Sequence, residues 1–379
     1  MRTIWTGFLG QLRKLVQLRM LMLFLLFLVA CWISLGIYRQ MIVKDLPIAV
    51  LDFDHSSLSR TLVRYLESTK ELTVSPDQPT SMEEAEDLLE HEKVCAIVLI
   101  PEGLSADVKK GHRSPVVLAV DMSNILTGKN VYKAISKIVG TVSAGVELSV
   151  VRKLGEHKEK VMGRVVPISI SENFAFNPAT NYTIYIMPGL LLFYFHILLL
   201  IMATSTFLPE NTRISWLELI GKNIAIFLAA LPIGLLTFYV LLPQADIIPV
   251  SPFGLVMSVL TAFVFMDIMM ALAIYSLMPS RLTAMQLTIM LGMLSLMFSG
   301  ITWPTDMFPE IIQFIAAYIP FTPFAKGYQS FLHYPLRMDE TGWIFAYYHK
   351  QIVAFIVLIL LGAIGKAVLA RLTAKGGTP

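Results

Sequence analysis

Six stretches of the chain are apolar on every face, with none of the polar stripe that marks a helix at a protein surface. They are Met20 to Tyr38, Tyr182 to Phe207, Asn223 to Leu242, Ser251 to Met278, Leu282 to Ile301 and Gln351 to Ala370. About 20 such residues cross roughly 30 Å of hydrocarbon as a helix, so each run predicts one membrane crossing. Pro252 can open the fourth run, and Pro279, Ser280 and Arg281 close it. Two formally charged residues interrupt the last five runs in telling places. Asp267 falls well inside the fourth, whereas Lys366 lies near the end of the sixth, from where it can snorkel to the headgroups.

Between the first two crossings the pattern changes. LPIAVLDF (46–53), VCAIVLIP (94–101) and PVVLAVD (115–121) are short runs rich in Val and Ile, and they predict buried strands. Amphipathic helices are predicted between them. Leu58, Leu62, Tyr65 and Leu66 share one face of 57–69, and TSMEEAEDLLE opens with Thr80 and Ser81 three residues before Glu83 and Glu84, a capping-box signature. A longer stripe, Val131, Ile135, Ile138, Val142, Val146, Val150 and Leu154, predicts a helix over 130–160, packed on its own sheet or on a partner. Alternating strands and helices predict a small α/β domain over 40–180.

Charge sharpens this division. The whole chain is 55% hydrophobic and 15% charged, yet residues 40–180 hold 16 basic and 19 acidic groups, the density of an ordinary water-soluble domain. Disorder, collagen-like repeats and a nucleic-acid partner are excluded together. Arg2, Arg13, Lys14, Arg19, Arg213, Lys222, Arg281, Arg371 and Lys375 all fall on the side shared by the two termini, which predicts a cytoplasmic N-terminus and C-terminus and an external domain at 40–180. The run at 20–38 is long for a cleaved signal, so it is expected to stay as an anchor. The predicted fold is therefore a membrane α-helical chain of six transmembrane helices with an inserted α/β extracytoplasmic domain.

Three further segments exceed what anchoring needs. Before the first crossing, Ile4, Trp5, Phe8, Leu12, Leu15 and Val16 oppose Arg2, Arg13, Lys14 and Arg19, which predicts an amphipathic helix in the interface, so that 1–39 forms one piece with the first crossing. Residues 208–222 place Ile214, Leu217 and Ile220 on one helical face, with Glu210, Arg213 and Glu218 elsewhere, as a docking contact to a soluble partner requires. Residues 303–325 hold Pro304, Pro309, Pro320 and Pro323. Pro309 with Glu310 can start a helix that Pro320 ends after about eleven residues, half a span, so a re-entrant segment is predicted before the last crossing.

The six crossings, the domain between the first two, and the SG…WP…MFP…P…TPF pattern of 299–324 resemble the type 2 (ABC-2) permease subunits of bacterial ATP-binding-cassette exporters with a large extracytoplasmic domain. The resemblance covers almost the whole chain. It implies that 208–222 is a coupling helix docking on a cytoplasmic ATPase, with Glu210, Arg213, Ile214, Leu217 and Glu218 at the contact. Only Glu210 and Gly221-Lys222 match the pattern of many members there. It also implies a second copy or a paralogous permease as partner, a periplasmic adaptor and outer-membrane channel in some systems, and the bacterial inner membrane as location.

The chain has no GxxxxGK[ST] phosphate loop, so ATP and Mg would be bound by the partner ATPase and no cofactor by this chain. Path candidates are His196, Asp267, Met293, Met297 and Trp303, with Met187, Phe193, Phe195 and Met290 as further greasy lining. In the external domain, Asp52, Asp54 and His55 follow a strand end and are expected to cap a helix and a loop, with a metal site as the other reading. His91, His112 and His157 lack a second ligand at usable spacing, and Cys31 and Cys95 suggest no disulfide or metal framework. The expected activity is ATP-driven export of a hydrophobic or amphiphilic substrate, drug or lipid-like. A proton-coupled carrier using Asp267 and a receptor or scaffold with an external ligand domain are the alternatives.

Overall fold

The computed structural model describes residues 1–39, 44–77, 79–110, 112, 114–153, 182–208, 215–333 and 335–375. The chain divides into two compact units, Met1–Arg39 with Ala175–Pro379, and Gln40–Phe174. Helices α1 (Arg2–Leu15) and α2 (Leu18–Arg39) open the first unit.

The second unit carries β1 (Leu46–Asp52), α3 (Ser57–Glu67), β2 (Leu72–Val74), α4 (Met82–Glu90), β3 (Ala96–Ile100), α5 (Leu104–Lys109), β4 (Val117–Val120) and α6 (Ile125–Lys153). Strand order is β2-β1-β3-β4, parallel except for the antiparallel β3/β4 pair. Strand periodicity sends Ile48, Val50, Ala96 and Val98 to one face, where Leu62 and Leu66 of α3 and Val131, Ile135 and Ile138 of α6 cover them. Ala49, Leu51 and Ile97 go to the other face, under Ala85 and Leu88 of α4. Burial on both faces explains why β1 and β3 are apolar without alternation. It also answers the stripe on α6, which is spent on its own sheet through Val142; Val146 is half-buried, Val150 falls where side chains are not described, and Leu154 lies outside the described residues.

The cap of α4 forms with one change. Ser81 Oγ accepts from Glu84 N–H at 3.2 Å, but the Glu84 carboxylate reaches past Ser81 to the N–H and hydroxyl of Thr80, at 2.7 and 2.9 Å. The Thr80 N–H holds this carboxyl below the ordinary glutamate range, so the cap is intact above that range and is lost as pH falls.

The first unit continues with α7 (Tyr182–Thr204), α8 (Trp216–Leu236), α9 (Phe253–Leu277), α10 (Arg281–Phe298), α11 (Glu310–Ala317), α12 (Phe321–His333) and α13 (Gly342–Lys375). Among the described residues, six helices are long and apolar enough to cross a membrane: Leu18–Ile37, Thr183–Thr204, Trp216–Ala245, Phe253–Leu277, Arg281–Phe298 and Met338–Val368. The third continues past α8 through a π-turn at Thr237–Leu241 and a 3-10 turn at Leu242–Ala245. Helices α7 and α9 form the centre, with 67% and 61% of their apolar windows buried, against 22% for α2 and α10 and 17% for the last span.

Two segments are placed more closely here. Of residues 208–222, 209–214 lie outside the described residues, and from Trp216, capped by Ser215, the chain forms the first turns of α8. The helix runs on through Pro232, and Glu218 and Lys222 pair with each other at 2.7 Å on its flank. The N-terminal helix packs against this same stretch. Its buried residues are Gly7 and Gln11, and they pack on the start of α8. A Cβ at Gly7 would strike the Glu218 carbonyl, and one at Gly221 would strike the Ile4 carbonyl. Gln11 Nε2 donates to Ser205 Oγ at 2.6 Å, tying α1 to the end of α7. Trp5, Leu12 and Val16 remain exposed, as a lipid-facing surface requires.

Because the two backbones touch at Gly221, Gly221→Val is expected to force α1 off α8, at the ~1–3 kcal/mol typical of overpacking. Limited trypsinolysis of the purified chain checks this. Cleavage after Arg13 and Lys14 should accelerate several-fold in the variant, and unchanged cleavage would contradict the crossing.

Candidate functional site

Asp267 is the sole charged residue of α9, and His196 is the one imidazole of α7. They are 71 residues apart in the chain, yet His196 Nδ1–H donates to Asp267 Oδ2 at 2.6 Å, and both side chains are fully buried. A carboxylate stripped of water in an apolar bundle is tolerated only with such a partner.

Aromatic rings from three helices wall the pair in. The imidazole stacks on Phe321 of α12 with centroids 4.9 Å apart and planes at 22°. Phe263, one turn before Asp267 on α9, lies 5.8 Å from the same ring and stacks on Phe324 of α12 at 3.9 Å. Phe193 and Phe195 complete the wall from α7. The second oxygen of the carboxylate, Oδ1, and the second imidazole nitrogen, Nε2, have no hydrogen-bond partner among the described residues. Nε2 faces Gly292 of α10, where an added Cβ would sit 3.8 Å away. Tyr348 of α13 is also buried, and its hydroxyl has no hydrogen-bond partner among the described residues.

The roof of this site is the broken segment. Pro309 precedes α11 and Pro320 lies in the turn after it, as expected, but the segment is a pair of half-helices rather than one. Pro323 is in the first turn of α12, where its missing N–H costs nothing. Glu310 starts α11, whose Ile311 and Phe314 are exposed, whereas Phe321, Phe324, Tyr328 and Phe331 of α12 are buried. The backbone groups freed by these breaks are met by side chains from elsewhere. Gln351 Nε2 of α13 donates to the Ala317 carbonyl at 2.8 Å, Thr322 Oγ1 to the Phe298 carbonyl at 3.3 Å, and the Tyr185 hydroxyl of α7 to the Ile301 carbonyl. Gly300, with φ +89°, turns the chain out of α10 in a conformation that only glycine adopts freely. Helices α9 and α13 run parallel, since Ser258, Ser276 and Tyr275 meet Met338, Leu358 and Lys366 in turn. One span, α10, lies between them in the chain, so α11 and α12 connect two helix ends at the same end of the bundle.

The other candidates are dispersed. Met293 and Met297 point outward from α10, at 63% and 62% exposure, and Trp303 is exposed on the loop, so none of them joins His196 and Asp267; Met187 is buried in the bundle core instead. Leu217 is exposed beside Trp216 and Ile220, Glu218 is paired with Lys222, and Glu210, Arg213 and Ile214 lie outside the described residues. In the external unit a cleft of about 550 Å³ opens beside Asp52, His55, Arg60, Arg64 and Thr80. Asp52 on its wall has a structural role, accepting from the N–H groups of Asp54 and His55 at 3.0 Å and from Ser59 Oγ at 2.6 Å, and nearby Asp54 accepts from Ser105 N–H at 3.2 Å. No cluster of three His, Cys, Asp or Glu residues suited to a metal occurs among the described residues.

Sequence reasoning missed Gln351, Tyr348 and the Phe321/Phe324 pair. Gln351 was visible as a polar residue at the mouth of an apolar run, but its partner, a carbonyl at a helix break, carries no side-chain signal.

If the pair holds α7 against α9, removing one member should be worse than removing both. Asp267→Leu is expected to destabilise by about 3–5 kcal/mol because it strands the imidazole, whereas the double change His196→Leu with Asp267→Leu should recover most of this. Thermal unfolding of the detergent-solubilised variants measures it, and additive losses would argue against the coupling.

A domain family described as ABC-2 family transporter protein matches residues 18–365. No curated protein and no solved structure matches the chain. With a match that runs from the first crossing into the last and takes in the broken segment and the His196–Asp267 pair, the chain belongs to the ABC-2 family of transporter membrane proteins.

Proposed function

We propose that this chain is the permease subunit of an ATP-driven exporter of hydrophobic or amphiphilic molecules, working as a pair of permeases with a cytoplasmic ATPase on each. The observation that carries the reading is the half-helix pair α11–α12 laid over the buried His196–Asp267 pair, since an anchor or receptor has no use for a broken helix at membrane depth. Family membership supports the transport role, and the absence of a phosphate loop from the sequence supports a separate ATPase.

The mechanism runs through α8. In this reading the termini are cytoplasmic, the unit at 40–174 is external, and the ATPase engages the segment around 208–222. The described part of that segment, from Trp216, is the first turns of α8, and α1 is clamped across the same turns by the Gly7 and Gly221 contacts, so a push delivered there moves two helices together. Helix α7, linked to α1 through Gln11 and Ser205, carries His196 into the centre, and motion at the cytoplasmic end is thereby delivered to the pair beneath α12. Opening of that contact would free a path for a greasy cargo toward the outside. A bacterial inner membrane fits this arrangement, and some exporters of this plan add a periplasmic adaptor and an outer-membrane channel.

Copurification tests the partner. Leu217→Asp is expected to cut recovery of the ATPase with the affinity-tagged permease at least tenfold, as is Glu210→Ala, while both variants keep wild-type abundance in the membrane. One observation favours a second reading: His196 and Asp267 together could carry a proton. ATP-independent efflux that is abolished by Asp267→Asn would establish the proton-coupled carrier and sink the exporter.

A further inference from the structure

At the end of the bundle that holds the start of α8, the close approach of α9 and α13 opens into a groove. The two helices touch at Gly362, where a Cβ would overlap Ser276, and Ser276 Oγ donates to the Leu358 carbonyl at 3.2 Å. Beside that contact a space of about 230 Å³ lies between them and α8, lined by Trp216, Leu219, Leu272, Tyr275, Ala363 and Lys366.

Lys366 is the one charged side chain on the groove wall, and its position departs from simple snorkelling. Its ammonium donates to the Tyr275 carbonyl at 2.7 Å and sits 4.3 Å over the centre of the Tyr275 ring. The carbonyl is one of the last of α9, so the lysine caps a helix C-terminus. An ammonium has three N–H donors, and this contact uses one. No carboxylate among the described residues lies within ion-pair distance of it. The walls are otherwise greasy, and Trp216, 45% exposed, stands at the mouth in the position where tryptophan marks a membrane boundary. All three helices reach that boundary here: α8 begins at Trp216, α9 ends at Leu277, and Lys366 is near the end of the last span.

A cation held at the boundary with unspent donors, above an apolar slot between helices, is complementary to one amphiphile in particular. We propose that this groove is a binding site for an anionic phospholipid, with the phosphate on Lys366, the headgroup against Trp216, and an acyl chain along Leu219, Leu272 and Ala363. Basic pockets between membrane helices bind lipid headgroups of this kind. A lipid seated there bridges α8, α9 and α13 at the point where α8 emerges, so the lipid composition of that leaflet sets how firmly α8 is held. The proposal needs only the membrane placement of the helices, and it stands or falls separately from the ATPase reading.

The test uses the delipidated full-length chain in nanodiscs of phosphatidylcholine alone or with phosphatidylglycerol, read by native mass spectrometry and by thermal stability. Phosphatidylglycerol is expected to be retained and to raise the melting temperature. Lys366→Gln should weaken retention about fivefold, the worth of one basic side chain near an anionic surface, and Lys366→Arg should keep it. Ala363→Trp fills the slot while leaving the ammonium in place, so it should lose the lipid even if Lys366→Gln proves unstable. Equal retention of phosphatidylcholine, or unchanged phosphatidylglycerol binding in both Lys366→Gln and Ala363→Trp, would overturn the site. Stabilisation by inorganic phosphate alone, equal to that by the lipid, would overturn the lipid assignment.

Discussion

A carboxylate in hydrocarbon must find a partner, and the architecture of the membrane unit follows from where Asp267 finds its own. His196 supplies an N–H at 2.6 Å, which commits α7 and α9 to neighbouring positions and makes them the two most buried helices. Neither residue can turn to lipid without exposing an uncompensated polar group, so the rotation of each helix about its axis is set as well. The remaining polar atoms of the pair, Asp267 Oδ1 and His196 Nε2, are unspent. A network completed only on one side is a weak ground for static stability and a natural place for a two-state contact.

The broken segment obeys a second accounting rule, that no backbone donor or acceptor stays unmet at membrane depth. Interrupting a helix after Phe298 and again after Ala317 frees carbonyls that water cannot reach. The replies come from Tyr185, Thr322 and Gln351, on three different helices. These bonds fasten α11 and α12 to the bundle at their breaks, while the aromatic face of α12 rests on the imidazole through Phe321. The half-helices are therefore seated by directional contacts at a few points and by ring stacking in between, a combination that allows α12 to tilt as a unit.

Legibility in the sequence tracked the range of the interaction. Six spans, most of the strands and the capped helices were readable because hydrophobic period and capping are local; the short β2 escaped, since three residues carry no period. The sheet's two-sided burial was implicit in the unalternated runs. Asp267 and His196 stood out singly, because an ionisable group is conspicuous in an apolar run, but no spacing rule joins residues that far apart. The seam between α1 and α8 was illegible for a different reason: it is made by Gly7 and Gly221, whose contribution is the absence of a side chain. The amphipathic pattern of α1 pointed to its exposed apolar residues and hid the face that packs. In the same way Met293 and Met297 looked like lining and instead face outward, because composition reports greasiness without direction.

The glycine seam and the polar pair belong to one mechanical chain. Close backbone contact at Gly7 and Gly221 leaves no compliant side chains between α1 and α8, so displacement of one is displacement of the other. Gln11 extends this coupling to Ser205 at the end of α7, and α7 is rigid and apolar up to His196, apart from the proline near its far end. In the proposed mechanism a movement at the start of α8 is passed on to the imidazole, and there it meets a fully buried pair whose Oδ1 and Nε2 hold unspent hydrogen-bonding capacity. Concentrating stiffness along α1, α8 and α7 and leaving the alternatives at the His196–Asp267 pair is how a helical bundle confines its response to a single place.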